Sequence, residues 1–139
     1  MSQKIFSKEV DIEVPFHDAD MMYVAWHGHY LKYFEIARCA LLDTFSYNYM
    51  DMMASGYAWP IIEAHLRYPG SALFGQTIRV KATLTEWENR LRIEYLVTDA
   101  ASGKRLTTGY TIQVAVNINT REMLFASPSV LLERLGVAE

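Results

Sequence analysis

The sequence predicts an α+β domain, a curved antiparallel sheet wrapped around one long central helix. Two observations carry that prediction. The patterns run strand, long helix, then about four strands with period-two alternation. The helix is apolar over most of its circumference, whereas the strands are apolar on one side. The helix is therefore the element able to cover the sheet. A length of 139 residues suits a single domain, 1–139. No internal repeat, low-complexity tract or linker divides it.

"KIFSKEVDIEV" carries β-branched residues in partial alternation, which predicts a strand over 4–14. Pro15 interrupts it. From Gly28 the pattern turns helical, with Tyr30, Leu31, Phe34, Ala37, Leu41 and Phe45 at spacings of three and four. Tyr33, Ile36, Ala40 and Leu42 fill the flanks, and only Lys32, Glu35, Arg38 and Asp43 carry charge. "SYNYMDMMASGY" reads as a loop with a short helical turn. "YAWPIIEAHLRY" (57–68) is a strand, irregular around Pro60. "TIRVKATLTEWE" (77–88) alternates Ile78, Val80, Ala82 and Leu84 against Arg79, Lys81 and Thr83. "NRLRIEYLVTDA" does the same with Leu91, Ile93, Tyr95 and Val97. "ASGK" is a hairpin turn. The strand from 105 to 118 alternates Leu106, Thr108, Tyr110, Ile112, Val114 and Val116. "SPSVLLERLG" predicts a terminal helix with Ser127 as N-cap, Pro128 at the first helical position and Gly136 as the stop.

Composition narrows the function classes. A net charge of −3 and a pI near 5.8 argue against nucleic acid as a partner. Cys39 is the single cysteine, so no internal disulfide can form and a reducing compartment is expected. The opening "MSQKIFSKEVDIEV" has scattered charge and no apolar core of a secretory leader. No apolar run reaches the roughly 18 residues of a membrane span. The expected location is the cytoplasm.

The stretch with chemistry is "PFHDADMMYVAWHGHY" (15–30), where two acids and three histidines lead into the apolar helix. Asp20 is ionised at neutral pH and can act as a base or a nucleophile. The first backbone N–H groups of a helix, with the positive end of its dipole behind them, suit a developing oxyanion. Asx turns also use such acids, and Asp18 reads as a partner within the turn. His27 titrates near neutrality and suits acid–base work or hydrogen-bonded packing. His27 and His29 supply two of the ligands a metal would need, and no Cys or His cluster completes the set. Neither a metal nor a cofactor is expected. Cys39 reads as inert packing. Glu35 and Glu63 stand in apolar settings, where pocket lining and a salt-bridged or exposed structural role both fit. Met21, Met22, Met50, Met52 and Met53 read as core, subunit interface or the wall of an acyl pocket.

The motif resembles the signature of the 4-hydroxybenzoyl-CoA thioesterase family and its YbgC-like relatives, which have the hotdog fold. The matching positions are Asp18-Ala19-Asp20, Val24-Ala25, Trp26-His27, Tyr30, Phe34-Glu35 and Ala37-Arg38. "RYPGSALFGQTIRV" and "VAVNINTREMLFASP" extend the likeness more weakly. The resemblance implies an acyl-CoA thioesterase with Asp20 as the catalytic carboxylate and a backbone amide near His27 polarising the carbonyl. Tyr23, Trp26, Gly28, Tyr30 and Glu63 are the expected substrate-binding set. Gly28, without a Cβ, lets a substrate approach the backbone. The chain departs from the family at Tyr23, where glycine is usual, and at Gln76, where aspartate is usual. The resemblance also implies a homodimer or homotetramer, since one small sheet around a helix leaves an edge strand uncovered. A non-catalytic acyl- or aromatic-binding hotdog module is the alternative of a different class. A hotdog dehydratase or hydratase is a further one, which "HGHYLKYFE" matches poorly.

Overall fold

The computed structural model describes residues 5–15, 29–68, 70, 72–73 and 75–137. In chain order the elements are β1 (Phe6–Glu13), α1 (His29–Asp43), α2 (Tyr49–Ala54), β2 (Tyr57–Ala58), β3 (Ile61–Arg67), β4 (Thr77–Glu86), β5 (Leu91–Asp99), β6 (Arg105–Gln113), β7 (Val116–Asn117) and α3 (Ser129–Leu135). β1, β4, β5, β6 and β3, in that spatial order, form an antiparallel sheet. β2 and β7 pair separately. This is the hotdog architecture the sequence predicts.

α1 lies against one face of the sheet. Its body holds no Gly or Pro, and its buried side chains are Tyr30, Tyr33, Phe34, Ala37, Arg38, Leu41 and Leu42. They meet Ile78, Val80, Ala82 and Leu84 of β4 and Leu91, Ile93, Tyr95 and Val97 of β5, all buried as the alternation predicts. The Phe34 ring stacks on Tyr95 with centroids 4.2 Å apart and planes 3° from parallel. The helix ends where Ser46 takes a left-handed φ of 56°. Tyr47 then donates its N–H to the Leu42 carbonyl at 3.1 Å. Contrary to the pattern, α1 is not covered all round: Leu31 and Ile36 are exposed.

The short turn at 46–57 is a capped helix. The Asn48 side chain accepts from the Tyr49 N–H at 2.8 Å, and Asp51 accepts from the Asn48 N–H at 3.2 Å. That reciprocal pair satisfies backbone donors at the start of α2. At the C-terminal end, the cap is one residue later than expected. Pro128 is the N-cap and has no side chain able to accept, while the Ser127 hydroxyl has no partner. The Ser127 N–H is committed instead to the Glu88 carbonyl at 2.8 Å. Gly136 stops α3 with φ of 73°, as expected. The two irregular strands also divide. Residues 57–68 split at Trp59-Pro60 into β2 and β3, and residues 105–118 split into β6 and β7.

β6 bears out the alternation reading only in part: Leu106, Ile112 and Val114 are buried, while polar residues between them are buried too. Thr107, Thr111 and Gln113 are buried, and Gly109 lies under the Phe34 ring. Thr107 pairs with Val97 and Gly109 with Tyr95, so this polar set shares the helix-side face. The buried hydroxyl of Thr111 meets that of Tyr95 at 2.8 Å, and Gln113 donates to the Trp59 carbonyl at 2.8 Å. Those two bonds offset the cost of burying Thr111 and the Gln113 amide nitrogen, whereas the Thr107 hydroxyl and the Gln113 Oε1 meet no partner among the described residues.

Gly109 allows the close approach. A Cβ built there would meet the His65 carbonyl oxygen and come within 2.8 Å of the Phe34 ring. Replacing Gly109 with Ala should therefore destabilise the fold by about 1–3 kcal/mol, as overpacking does. Urea denaturation measures it, and a loss below about 0.5 kcal/mol would show that α1 is not held this close.

Candidate active site

The acid-rich turn lies between the end of β1 and the first turn of α1. Asp18, Asp20, Tyr23, Trp26, His27 and Gly28 fall outside the described residues. The two sides of that turn are described. Val14 is buried and locks the end of β1 onto the β3–β4 connection: its N–H donates to the Gln76 carbonyl at 2.9 Å, and its carbonyl accepts from the Gly75 N–H at 2.9 Å. Gln76, at the position where the resemblance has aspartate, also accepts from the Leu73 N–H at 2.8 Å and donates to Asp99 at 3.0 Å. It therefore braces the connection beside the turn. These bonds, with contributions from Ser102, hold the Asp99 carboxyl well below the usual range, at about 2.

On the other side of the turn, Tyr30 anchors the helix start. Its ring is buried and makes edge contacts with Tyr33 at 5.7 Å and Tyr68 at 5.3 Å. Its hydroxyl accepts from the buried Ala72 N–H at 3.0 Å. Tyr30, Tyr68 and Ala72 thus tie α1 to the β3–β4 connection.

Glu63 sits elsewhere. It is exposed on β3 and accepts from the Tyr110 hydroxyl at 2.6 Å. That bond raises the Tyr110 phenol pKa. Glu63 pairs with Ile112, and Tyr110 pairs with Glu94, on the face opposite Tyr95 and α1. His65 stacks on Tyr110 at 5.3 Å, and the Arg92 guanidinium lies 4.4 Å from the same ring. Glu63 and the helix start of its own protomer are therefore on opposite faces of the sheet.

Arg38, one of the charges on the helix and part of the matching motif, is buried. It donates to the Tyr49 hydroxyl at 2.7 Å, lies 4.0 Å from Glu35, and its Nε has no partner. Burial works against its charge, but the Tyr95 and Tyr49 hydroxyls outweigh it, so the pKa is raised. The signal was present in the spacing: Phe34, Arg38 and Leu42 share one stripe. Cys39 is half-buried, and burial pushes its thiol up, away from the reactive thiolate. Among the described residues no group of three or more His, Cys, Asp or Glu could hold a metal ion. No helix there is long and apolar enough to cross a membrane.

A match to the Thioesterase-like superfamily spans residues 14–135, from the end of β1 through α3. The chain belongs to that superfamily. The class expected from the motif, thioester hydrolase, agrees with this membership; the YbgC-like branch is not singled out. The chain is 28% identical over 128 residues to a Synechocystis protein named as a candidate esterase, covering 91% of this chain and 77% of the relative. A Thermus thermophilus protein of solved structure and no stated function is 26% identical, with a TM-score of 0.82 over 94% of this chain and 98% of the other. A 1,4-dihydroxy-2-naphthoyl-CoA thioesterase from Synechocystis has the same fold at 20% identity, with a TM-score of 0.82 over 96% of each chain.

Tyr30 yields a clean test of the helix anchor. Tyr30→Phe keeps the ring but leaves the buried Ala72 N–H without its acceptor. The expected cost is about 1–3 kcal/mol of stability, read by thermal or urea unfolding. Unchanged stability would show that this bond does not hold the helix start.

Proposed function

We infer that the protein hydrolyses an acyl-CoA thioester to free acid and CoA. Asp20 acts as general base to water or as the nucleophile, and backbone amides of the turn entering α1 polarise the carbonyl. The observation that carries this is the superfamily match from residue 14 to residue 135, which contains the Asp-x-Asp turn and the helix it enters. The fold likeness to a CoA thioesterase supports a CoA thioester as substrate.

The chemistry balances simply. With Asp20 as base, it takes a proton from water, the hydroxide oxygen bonds to the carbonyl carbon, and the charge that develops on the carbonyl oxygen meets the amides near His27 and Gly28. Collapse breaks the C–S bond, and the thiolate leaves as CoA thiol after gaining a proton. His27 is suited to deliver that proton, since imidazole is the side chain most used for acid–base work. As nucleophile, Asp20 would instead form an anhydride that water then opens. Tyr23 and Trp26 are assigned to the acyl group, and Gly28 to close approach of the thioester. Tyr30 serves by fixing the helix start beneath them. Glu63 enters this reading only through a second copy, because in its own protomer it lies on the far face. The phenol at Tyr23, where the family has glycine, favours the second reading, a non-catalytic acyl-binding module.

The decisive variant is Asp20→Asn, which keeps shape and removes charge. Thiol release from a panel of acyl-CoAs should fall by at least about a hundredfold, with the circular dichroism unchanged. Near-normal turnover would remove Asp20 from the mechanism. Absence of thiol release by the unmodified protein, together with acyl-CoA binding, would establish the binding module instead.

The working unit in this reading is a homodimer or homotetramer. β3 is an edge strand, and its outer backbone groups meet no strand among the described residues. Ile61 and Ile62 on β3 and Leu31 and Ile36 on α1 are exposed apolar side chains. A second copy pairing along β3 would cover them and extend the sheet. Sedimentation velocity at micromolar concentration should give a dimer or larger species; a monodisperse monomer rules this out.

A further inference from the structure

On the face turned away from α1, strand pairing lines the side chains up in rows. Lys81 pairs with Leu96, Leu96 with Thr108, and Thr108 with Arg67. Arg105 pairs with Thr98 near the same end of the sheet. Two adjoining concavities open there. One, of about 470 Å³, is lined in part by Lys81, Thr83, Arg105, Thr108 and Tyr110. The other, of about 580 Å³, is lined by Leu66, Arg67, Tyr68, Arg105 and Thr108. Arg105 and Thr108 border both.

We propose that Arg67 and Arg105 bind a phosphate group of a phosphorylated ligand, held on the sheet face opposite the helix. The other arginines of the sheet are engaged. Arg79 meets Asp11 at 2.9 Å, Arg90 meets Glu86 at 3.1 Å, and Arg92 lies over the Tyr110 ring at 4.4 Å. Arg67 and Arg105 have no such partner among the described residues, and both are exposed. The chain carries a net charge of −3, so acids are in excess, yet these two cations border one concavity with none of them between. Two unpaired like charges so placed repel each other, and a phosphate relieves that repulsion. A guanidinium presents paired N–H donors that match phosphate oxygens. The Thr108 hydroxyl and the Lys81 ammonium, the latter also without a partner among the described residues, add donors along the same row. Glu94 is the one acid lining the larger group of residues, and it lies two positions from Leu96, nearer to Tyr110.

Such a phosphate has two sources: the nucleotide end of a CoA thioester, or a separate nucleotide. The first rests on the thioesterase reading above. The cavity at Arg67 extends to Tyr68, whose ring touches Tyr30 in the first turn of α1. The phosphate site and the helix start are thus joined by one pair of rings.

Calorimetric titration with 3′-phosphoadenosine 5′-diphosphate tests the site without catalysis. The unmodified protein should bind it, more weakly as salt rises. Arg67→Gln with Arg105→Gln should weaken binding at least tenfold, with an unchanged melting temperature, since both side chains are exposed. No binding by the unmodified protein, or equal binding by the variant, overturns the proposal. Steady-state kinetics then separates the sources. A rise in KM for an acyl-CoA but not for the matching acyl-pantetheine, which lacks the nucleotide, assigns the phosphate to the substrate. Loss of binding with both KM values unchanged assigns it to a separate nucleotide. An equal rise for both substrates means the arginines act through shape, and the phosphate site is wrong. Binding with no thioester hydrolysis by the unmodified protein would remove the hydrolase reading and leave this site standing.

Discussion

The structure depends on how closely α1 can approach the sheet. Phe34 lies flat on Tyr95 and directly over Gly109, so helix and sheet meet at ring thickness rather than across a layer of side chains. Stacked rings bury large apolar area, and close packing transmits position from one element to the next. Everything that places the candidate site follows from that contact. With Phe34 fixed, Tyr30 falls one turn earlier, where its hydroxyl reaches Ala72. The helix start is then held against the β3–β4 connection, and that connection holds the end of β1 through Val14, Gly75 and Gln76. The end of β1 and the start of α1 are therefore both fixed by the same short piece of chain.

The two faces of the sheet divide the chemistry. The helix-side face is apolar on β4 and β5 and turns polar on β6, where each buried donor or acceptor that finds a partner does so inside the core. Tyr95 and Thr111 pair there, and Trp59 accepts from Gln113 while donating to Tyr47 at 3.2 Å. This polar seam lies toward β3, the side where α1 leaves the sheet less covered. The opposite face carries charge in rows set by register: Asp11 with Arg79, then Lys81, Thr108 and Arg67 further across. An exposed face of this kind costs little to solvate. Selection of side chains there is free of packing, and that is where unpaired cations can accumulate for a ligand.

The free edge of β3 connects both faces. Its backbone offers donors and acceptors, and Ile61 and Ile62 offer apolar surface. A monomer with such an edge is poorly protected against association. The exposed flank of α1, Leu31 and Ile36, faces the same need for cover. The apolar circumference of the helix, visible in the sequence, is thus only partly covered within the one chain.

By itself the sequence determined the order of elements, the core faces of β4 and β5, and the motif that assigns the chain to its family. Period-two alternation is local, and a strand whose core side is uniformly apolar announces it. The roles expected of Asp18 and Asp20 come from resemblance, which supplies what spacing alone does not. Tertiary structure decided the rest. On β6 the alternation named only part of what is buried: Leu106, Ile112 and Val114 are buried as read, but so are Thr107, Thr111 and Gln113, the last two bonded to residues distant in sequence. Arg38 sits in the apolar stripe of α1, held by Tyr49, a partner eleven residues on. Ser127 does not cap α3, because the helix starts one residue later with Pro128 in the cap position, and the Ser127 hydroxyl meets no partner. Glu63 faces away from α1 in its own protomer because a strand has two faces, and register with Ile112 selected the outer one. Arg67 and Arg105 stand far apart in sequence, and only the pairing of β3 with β6 puts them beside one cavity. Each of these outcomes rests on contacts between segments that no local pattern encodes, because hydrogen-bond partners and register are chosen when the chain closes on itself.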